Sequence, residues 1–318
     1  MSTEPYTIGV VGARGYVGRE LLACIERHPR LALGFAWSRQ LAGAHAATVG
    51  AAGSAVAFAA PAQDKLQDHA VDVLVLALPN GLAREYVEAA TEGSNPPRLI
   101  IDLSADYRFD DAWAYGLTEH NGAQIRDAHC ISNPGCYATA MQLALRPLID
   151  CCAAAPNCFG VSGFSGAGTS PSERNDPDVL RDNILPYALT NHLHEREVAR
   201  QLCSPIRFAP SVASFPRGIM LTAQLTLREP IEVGAIHERY ATAYGADGCV
   251  SWIGDRMPRL QDVVETPRAL VGGLHIHPED PTRVAVVCAL DNLMKGAATQ
   301  AMQNINLALD MPEDWGLR

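Results

Sequence analysis

A cysteine at the start of a predicted helix is the residue of this chain best suited to covalent chemistry. Cys136 follows the turn Asn133-Pro134-Gly135, and apolar residues at helical spacing predict a helix over 137–148. The N–H groups and dipole of a helix start stabilise an anion, which lowers the pKa of a thiol. We therefore predict that Cys136 is a nucleophile; the alternative is a small buried residue beside a turn.

Two pairs of histidines share one spacing, His192/His194 and His275/His277. A pair at i, i+2 can serve acid–base chemistry, contribute to one metal site, or be structural. The sequence has no CxxC or HExxH spacing that would supply further metal ligands. We predict no metal site, and the spacing alone does not choose between the other two roles.

A glycine turn near the start of the chain predicts a dinucleotide site. The apolar run Tyr6–Val11 predicts a buried strand, and Gly12, Gly15 and Gly18 lead from it into a helix. In such a turn the first glycine permits the tight bend, the second admits a pyrophosphate, and the third lets helix and strand pack closely. The spacing is G-x-x-G-x-x-G, so a plain structural turn is the alternative.

The second predicted strand, over 31–37, indicates which nucleotide is bound. An NAD site usually has an acidic residue after this strand to bind the ribose 2′-hydroxyl, whereas this chain has Ser38-Arg39 there. A hydroxyl and a guanidinium suit a 2′-phosphate. The cofactor prediction is therefore NADP, with a merely solvated Arg39 as the alternative.

The elements around these residues predict a two-part architecture. Continuous apolar runs at 71–78 and 99–103 predict buried parallel strands, and so an N-terminal Rossmann-type domain of class α/β. Ligands bind beyond the carboxyl ends of such strands, so Gly12, Ser38, Pro79 and the segment 104–108 are expected at one edge. The turn before Cys136 is expected to open onto the same edge, at the boundary between the two domains.

The pattern changes after the Cys136 helix. Longer, alternating runs at 157–163, 206–213, 219–227 and 283–290 predict a mostly antiparallel sheet. Helices predicted over 195–202 and 232–244 would cover one face, which gives an α+β catalytic and dimerisation domain. The predicted domains are 1–134 and 135–291, with a C-terminal helix at 292–310 that packs back on the first.

Composition restricts the classes of function. A net charge of −10 disfavours a general nucleic-acid surface, although a local arginine pair still suits an anionic substrate. No apolar run reaches the length of a membrane helix, and the first five residues lack the pattern of a signal peptide. Nine cysteines without framework spacing fit a reducing compartment. We expect a cytoplasmic enzyme that binds neither nucleic acid nor membrane.

Several separate motifs in one order give the chain a family resemblance. They are the glycine turn at 12–18, Asp102-Leu103-Ser104-Ala105-Asp106-Tyr107-Arg108, Tyr115-Gly116-Leu117-x-Glu119, Asn133-Pro134-Gly135-Cys136-Tyr137, Ser162-Gly163-Phe164-Ser165-Gly166-Ala167-Gly168 and Asp291-Asn292-Leu293-x-Lys295-Gly296-Ala297. With these motifs the chain resembles the N-acetyl-γ-glutamyl-phosphate reductases, the arginine-pathway family of the aspartate-semialdehyde dehydrogenase superfamily. The resemblance runs from about residue 6 to residue 310.

The resemblance implies an NADPH-dependent reduction of an acyl phosphate to an aldehyde, through a thioester on Cys136. His194 matches the acid/base of the family's His-x-His-x-x-Glu segment, with His192 as the second candidate. The implied substrate-binding residues are Arg108, Asn133, Ser162, Gly163, His192, Glu197 and Arg217. The predicted cofactor-binding residues are Gly12, Arg14, Gly15, Tyr16, Val17, Ser38, Arg39, Pro79, Ser165, Gly166 and Asn292.

Some of these residues have simpler physical readings. Arg108 can brace the loop after its strand, Arg217 can pair with an acidic side chain, and Asn292 can cap a helix. The segment Ser162–Gly168 can be a plain flexible loop. The substrate and cofactor roles are the predictions that we carry forward.

The chain departs from the family pattern at two places. Ser211 stands where the family usually has histidine, in the run Phe208-Ala209-Pro210-Ser211, and serine cannot act as a cation or base in its place. The family's Ala-Gly-Lys after the second strand is Ala42-Gly43-Ala44 here, which removes a cation near the cofactor.

Other functions fit parts of the pattern. Aspartyl phosphate or carrier-bound aminoadipyl phosphate would need the same chemistry, and Ser162–Gly168 with His192–Glu197 favours the glutamyl substrate over the aspartyl one. An NADP-binding sensor without activity is a third possibility, which Cys136, His194 and the arginines disfavour. The superfamily resemblance implies a homodimer or homotetramer.

Overall fold

A computed structural model describes residues 4–48, 54–61, 66, 68–245 and 248–317. It divides into two compact units, Met1–Gly135 with Ala297–Arg318, and Cys136–Gly296. The sequence predicts domain boundaries at 134/135 and 291/292, and the assignment of separate functions to the two parts stays a prediction. Residues 1–3, which contributed to the expectation of no signal peptide, lie outside the described residues.

Fourteen strands and eight α-helices occur among the described residues. The strands are β1 (Tyr6–Val11), β2 (Leu31–Trp37), β3 (Phe58–Ala59), β4 (Val73–Leu76), β5 (Leu99–Asp102), β6 (Ala114–Tyr115), β7 (Cys130–Ser132), β8 (Asn157–Gly163), β9 (Ile184–Pro186), β10 (Arg207–Ala213), β11 (Ile219–Thr226), β12 (Val250–Trp252), β13 (Ala269–Ile276) and β14 (Arg283–Leu290). The helices are α1 (Tyr16–Arg27), α2 (Ala83–Glu92), α3 (Thr118–Arg126), α4 (Cys136–Leu145), α5 (Pro177–Leu180), α6 (Leu193–Gln201), α7 (Val233–Ala243) and α8 (Thr299–Ala308). None of these helices has the length and apolar character needed to cross a bilayer.

The first unit contains a parallel sheet, as predicted. Its described strands follow the order β3-β2-β1-β4-β5-β7-β6, and every pairing is parallel. All four residues of β4 and of β5 are buried, because both faces of the sheet are covered. The order reverses direction between β1 and β4, the position at which such sheets bind ligands beyond their strand ends.

Helix α8 is a core element of the first unit although it comes last in the chain. All ten of its residues are buried, and it packs against α1, α3 and β5. Its buried amides are bonded: Gln300 and Gln303 donate to Thr118 Oγ1 at 3.3 and 3.2 Å. Asn304 donates to Asn133 Oδ1 at 3.0 Å. The prediction of a helix over 292–310 is wrong at its start, because a π-helical turn, Met294–Ala298, precedes α8.

The second unit contains the predicted mostly antiparallel sheet. Its order is β12-β13-β14-β11-β8-β10-β9, and four of the six pairings are antiparallel. Strand β11 alternates buried and more exposed residues, as its period of two predicts. Its buried side chains pack with those of α4, α6 and α7 in one core.

Three element predictions for the second unit need correction. Helix α4 ends at Leu145 rather than 148, before Pro147, which has no N–H to donate. Helix α6 begins at Leu193 rather than 195. The prediction also lacks strands β9, β12 and β13. In β13 the Gly272-Gly273 pair is accommodated as an irregularity in the pairing with β14, with Gly273 at φ 62°.

Candidate active site

The glycine turn forms an open cradle at the start of α1. Gly12 has φ 85°, and a Cβ there would clash with the carbonyl oxygen of Ala77. A Cβ on Gly18 would lie 2.6 Å from backbone atoms of Ala13, so helix and strand need glycine to pack closely. Among the described residues other than its chain neighbours, a Cβ on Gly15 would meet only Gly12 O, at 3.7 Å. The space above Gly15 and the α1 N-terminus therefore fits a pyrophosphate.

The other predicted cofactor residues of the first unit follow parallel strands, either in loops or at the start of α1. Arg14, Tyr16 and Val17 are half-buried around the start of α1. Ser38 is buried after β2, and its N–H donates to the carbonyl of Ala59. Arg39 and Pro79 are exposed after β2 and β4. These loops share one edge because β1, β2 and β4 are parallel.

The residues of the motif at 102–108 mainly make hydrogen bonds that stabilise the fold. The Asp106 carboxylate accepts from the N–H groups of Gly81 at 2.6 Å and Ala83 at 3.0 Å, and so caps α2. Asp102 accepts from the N–H and hydroxyl of Ser104 at 3.0 and 2.7 Å. Burial raises the pKa of the Asp102 carboxyl, and the bonds from Ser104 oppose that shift.

Arg108 braces two loops of the first unit. Its side chain is buried, Nε donates to Asn133 O at 2.9 Å, and Nη2 donates to Leu103 O at 3.0 Å. These bonds match the alternative that Arg108 braces the loop after its strand. A substrate contact by Arg108 stays a prediction.

Asn133 is bonded at four atoms, all within the first unit. Its N–H donates to Asp102 O at 2.7 Å, and its carbonyl accepts from Arg108. Its amide donates to Ala297 O at 3.2 Å and accepts from Asn304 at 3.0 Å. The side chain is 1% exposed, so its observed role is to fix the turn before residue 136.

Cys136 lies at the start of a helix, as predicted. It is the first residue of α4 and packs against Gly296 of the π-helical turn. A Cβ on Gly296 would lie 2.8 Å from the Cβ of Cys136. The π-helical turn brings this glycine into place through its N–H, which donates to Asp291 O at 2.9 Å.

Tyr137 anchors the start of α4 in the second unit. Its hydroxyl donates to Ser211 O at 2.7 Å, and its ring packs on Phe208 at 4.9 Å between centroids. A Cβ on Gly160 would clash with the Tyr137 ring, so β8 needs glycine there. Ser211 contributes its main-chain oxygen, which any residue at this position would supply.

The end of β8 meets the segment that carries Arg217. Gly163 lies so close that a Cβ would fall 2.5 Å from Arg217 N, and its N–H donates to Gly218 O at 2.9 Å. The 3-10 turn Phe164–Ala167 follows, with Ser165 N–H donating to Pro216 O at 3.1 Å. The segment is a strand end and a bonded turn rather than a plain loop.

Asp291 and Asn292 connect these segments. Arg217 Nε donates to the buried Asp291 carboxylate at 2.7 Å. Asn292 accepts from Gly218 N–H at 2.7 Å and donates to Ser165 Oγ at 2.9 Å. The capping reading of Asn292 is wrong, because Asp291 accepts from the N–H of Leu293 at 2.9 Å.

Ser162 and Gly166 complete this part of the site. Ser162 is buried, and its hydroxyl donates to Gly163 O at 3.0 Å. A Cβ on Gly166 would lie 3.0 Å from Ser162 Oγ. The predicted residues of the second unit at 162–166, 217 and 292 are thus brought together by direct contacts, and their roles toward ligands stay predictions.

The predicted acid–base histidines lie at the start of α6. His192 is the N-cap, and its Nδ1 accepts from His194 N–H at 3.0 Å. Burial, together with the positive charges of Arg174 and Arg196, lowers the pKa of His192 to about 4. His192 is therefore neutral at pH 7, and since Nδ1 accepts, its proton is on Nε2.

His194 lies within the same aromatic group. Its ring centroid is 4.9 Å from that of His192 and 6.3 Å from that of Tyr137, the residue after the predicted nucleophile. Glu197, one turn further along α6, is completely buried. The acid–base role of either histidine, and contact of Glu197 with substrate, stay predictions.

The second histidine pair makes local contacts. His275 Nδ1 lies 3.1 Å from Gly273 O, and His277 Nδ1 accepts from the N–H groups of Glu279 and Asp280 at 3.2 and 3.1 Å. Within the part of the chain that the structure describes, no three histidine, cysteine or acidic residues are grouped as metal ligands would be.

Sequence reasoning missed two residues near the histidines, Tyr187 and Arg174. Tyr187 lies 5.7 Å from His192 between ring centroids, and the Arg174 guanidinium lies 5.0 Å from the Tyr187 ring centroid. Burial, with a smaller contribution from negative charge at Cys136, raises the pKa of Tyr187 to about 12, although Arg174 opposes both through its charge and a hydrogen bond. No motif surrounds Arg174, so only the fold could reveal its position.

Comparison with known proteins agrees with this arrangement. Residues 7–128 match the model "Semialdehyde dehydrogenase, NAD binding domain", and residues 136–292 match "Semialdehyde dehydrogenase, dimerisation domain". The chain belongs to the semialdehyde dehydrogenase family.

Relatives with one particular name align over nearly the full chain. A protein of Xanthomonas campestris pv. campestris (strain B100), named N-acetyl-gamma-glutamyl-phosphate reductase, is 50% identical over 315 residues, 98% of each chain. A protein of the same name from Stenotrophomonas maltophilia (strain R551-3) is 48% identical over 314 residues, again 98% of each chain.

Solved structures share the fold at low sequence identity. Aspartate semialdehyde dehydrogenase II of Vibrio cholerae, in complex with ASA, has a TM-score of 0.76 and 18% identity, covering 96% of this chain and 99% of that one. Aspartate semialdehyde dehydrogenase of Candida albicans, with NADP, has a TM-score of 0.71 and 13% identity, with the same coverage. The predicted combination of a Rossmann-type and a mixed-sheet part is thereby confirmed.

Proposed function

We propose that the chain reduces N-acetyl-γ-glutamyl phosphate with NADPH to N-acetylglutamate semialdehyde and phosphate, in arginine biosynthesis. The observation that carries this proposal is Cys136 at the first position of α4, packed against Gly296 of a motif the reductases share. The name of the relatives at about 50% identity supports the acyl group.

The glycine cradle supports the cofactor part of the proposal. Gly12, Gly15 and Gly18 leave room where a pyrophosphate would lie on the α1 N-terminus. Arg39 would contact the 2′-phosphate of NADP, since its side chain is exposed just beyond β2. When bound, the cofactor supplies the hydride that reduces the thioester.

The covalent step belongs to Cys136. Its sulfur, as thiolate, attacks the carbonyl carbon of the acyl phosphate, the bond from that carbon to the phosphate oxygen breaks, and phosphate leaves. The N–H groups at the start of α4 stabilise the oxyanion that forms. Arg217 is our candidate for stabilising the leaving phosphate, with its Nε held in place by Asp291.

The proton transfers are assigned to the histidines at the start of α6. After reduction, the oxyanion of the thiohemiacetal re-forms the carbonyl as the C–S bond breaks and aldehyde leaves. A histidine then returns its proton to the thiolate of Cys136. We keep His194 as the acid/base. His192 Nδ1 accepts from the His194 N–H and so holds the start of α6 in place. Its Nε2–H is not used in that bond, so His192 is the second candidate for the acid/base.

An assay in the reverse direction tests the function. We expect reduction of NADP⁺ in the presence of phosphate and N-acetylglutamate semialdehyde, and much slower reduction with aspartate semialdehyde. Faster turnover of aspartate semialdehyde would assign the chain to the aspartyl substrate. No turnover with either aldehyde, together with intact NADP binding, would favour the sensor.

We also propose that two copies associate through the uncovered face of the second sheet. Phe159 is 51% exposed and Leu189 58%, beside a groove of about 600 Å³ that Ala209 and Thr222 also line. Exposed apolar groups of this kind mark protein interfaces. The family match of residues 136–292 to a dimerisation domain supports this choice.

Light scattering after gel filtration tests the interface. Phe159→Glu should convert the dimer or tetramer to smaller species, since it buries a charge in the contact. Val233→Glu, at an equally exposed apolar position on α7, is the matched control. An unchanged mass for Phe159→Glu would place the interface elsewhere.

The location of the reaction follows from the same proposal. We propose that it occurs in the cytoplasm and involves only small molecules. The odd number of cysteines without framework spacing supports a reducing compartment.

A further inference from the structure

Arg174 is an exposed cation held beside the acid–base histidines. Its guanidinium lies 5.0 Å from the Tyr187 ring centroid, an arrangement that a cation–π attraction stabilises. Tyr187 in turn lies 5.7 Å from His192 between ring centroids. The charge of Arg174 also lowers the pKa of His192, so the guanidinium acts on both rings.

The loop that carries Arg174 is fixed by its neighbour. Asn175 donates to Gly168 O at 2.9 Å and Ser170 O at 2.8 Å, and accepts from Ser172 N–H at 2.8 Å. The loop is therefore clamped to the end of the Ser162–Gly168 segment. Such a clamp reduces the entropy lost when the arginine binds a ligand.

Contacts within the second unit connect Arg174 to the nucleophile. Rings of Tyr187, His192, His194 and Tyr137 follow one another at 5.7, 4.9 and 6.3 Å between centroids. Tyr137 is the residue after Cys136 in the chain. The series of contacts therefore runs from Arg174 through the histidines to the residue next to the nucleophile.

The proposed substrate carries two anionic groups, and the other two arginine candidates are engaged. Arg108 uses Nε and Nη2 on main-chain oxygens. Arg217 uses Nε on Asp291, and its Nη1 lies 3.7 Å from Glu265. Arg217 can still serve the phosphate, but the α-carboxylate, remote from the reacting carbon, needs a further cation.

We propose that Arg174 binds the α-carboxylate of the substrate and so selects acyl groups that carry one. This assignment rests on the proposed function. The Arg174 guanidinium lies over the Tyr187 ring, and the planar, paired N–H donors of a guanidinium match the two oxygens of a carboxylate. Arg174 is thus a specificity-determining residue for this reaction.

Comparing two aldehydes tests the assignment. Arg174→Met should lower kcat/KM for N-acetylglutamate semialdehyde by about 10- to 100-fold, mainly through KM, since a hydrogen bond to a charged group is lost. It should change kcat/KM for 4-acetamidobutanal, which lacks the carboxylate, by less than about twofold. Arg181→Met is the matched control, since Arg181 is exposed and pairs with Asp178.

The outcomes separate a binding role from a structural one. Equal losses with both aldehydes would mean that Arg174 only supports Tyr187, and no loss with either would mean that it does not contact substrate. Either result overturns the assignment. A wild-type enzyme inactive with the first aldehyde would instead contradict the proposed function.

A binding measurement that needs no turnover tests the assignment of Arg174 even if the wild-type enzyme is inactive. N-acetyl-L-glutamate should slow the alkylation of Cys136 by iodoacetamide, followed by peptide mass spectrometry. N-acetyl-4-aminobutyrate should protect about tenfold less well in wild type and equally well in Arg174→Met. Absence of any difference between the two ligands in wild type overturns the assignment.

Discussion

Two regions of the molecule achieve close packing by different means. The glycine cradle (Gly12, Gly15 and Gly18) is shaped by main chain alone: a positive φ, an absent Cβ and a helix start. The Cys136 cluster (Cys136, Gly163, Arg217, Asn292 and Gly296) is held by side-chain bonds between residues far apart in sequence. One region depends on local conformation, and the other on the whole second unit.

This difference predicts which property is lost when each region is mutated. A change in the cradle should act on the cofactor or on local packing, and leave the second unit intact. A change at Cys136 or Gly296 of the cluster should act on the reactive sulfur and leave cofactor affinity intact. The following variants, in order of decreasing effect, test that separation.

Removal of the sulfur should have the largest effect. Cys136→Ala should lower kcat by at least about 10⁴-fold, because the covalent route is lost. The dissociation constant of NADPH, measured by fluorescence titration, should stay within about twofold. Substantial remaining turnover would remove the thioester from the mechanism, and a large loss of NADPH affinity would contradict the separation of the two regions.

Displacement of the sulfur should have a smaller effect. A methyl group at residue 296 would lie 2.8 Å from the Cys136 Cβ, so Gly296→Ala should shift the nucleophile and lower kcat by about 10²-fold. Gly234→Ala is the control, because a Cβ there meets no atom of the described residues within 4 Å apart from its own helix and chain neighbours. Equal kcat values for the two variants would show that Gly296 does not position the sulfur.

Two substitutions within the cradle should separate binding from packing. Gly15→Ala has room in the fold, so it should weaken NADPH binding by about 10-fold or more with an unchanged Tm. Gly18→Ala places a Cβ 2.6 Å from Ala13 backbone atoms and should cost about 1–3 kcal/mol of stability. Thermal unfolding with and without NADPH measures both. A lower Tm for Gly15→Ala would mean that the fold has no room for a Cβ at residue 15.

Protonation of His192 should have the smallest effect. Its pKa is about 4 in the folded chain and near 6.5 when unfolded, so the unfolded chain binds more protons between these values. The free energy of unfolding should therefore fall as pH decreases from 6.5 to 4, by about 1 kcal/mol after allowance for the partial exposure of the ring.

His192→Asn tests this prediction because asparagine caps a helix without titrating in this range. Its urea unfolding should show a smaller decrease between pH 6.5 and 4 than wild type, at nearly equal stability at pH 7. His192→Ala should lose about 1 kcal/mol at pH 7 through the missing cap. An unchanged pH dependence in His192→Asn would assign the effect to other groups.

The cradle could be predicted from sequence because its determinants are contiguous. A buried strand, three glycines and a helix follow one another within residues 6–27. Gly12 has the positive φ of the predicted tight turn, and Gly18 has the predicted close helix–strand packing. Cys136 at a helix start was predictable for the same reason. The parallel strands followed from continuous apolar runs, since both faces of that sheet are buried.

The contacts of the cluster could not be predicted in the same way. Arg217 meets Asp291 across 74 residues, and either could have been a surface residue. The π-helical turn contains the glycine that lies against Cys136, and this contact over 160 residues is not visible in local propensity. The start of α6 was missed because histidine is an unusual N-cap, and Arg174 because its loop has no motif.

Helix α8 has a consequence for the order in which the protein is made. A ribosome that has completed residues 1–135 has not yet made the helix that covers α3 and β5, and all of the second unit is synthesised in between. The second unit is continuous in sequence and can finish folding first. The part of the chain that emerges first is therefore the last to be completed, and the nascent first unit has apolar surface to protect until its final segment arrives.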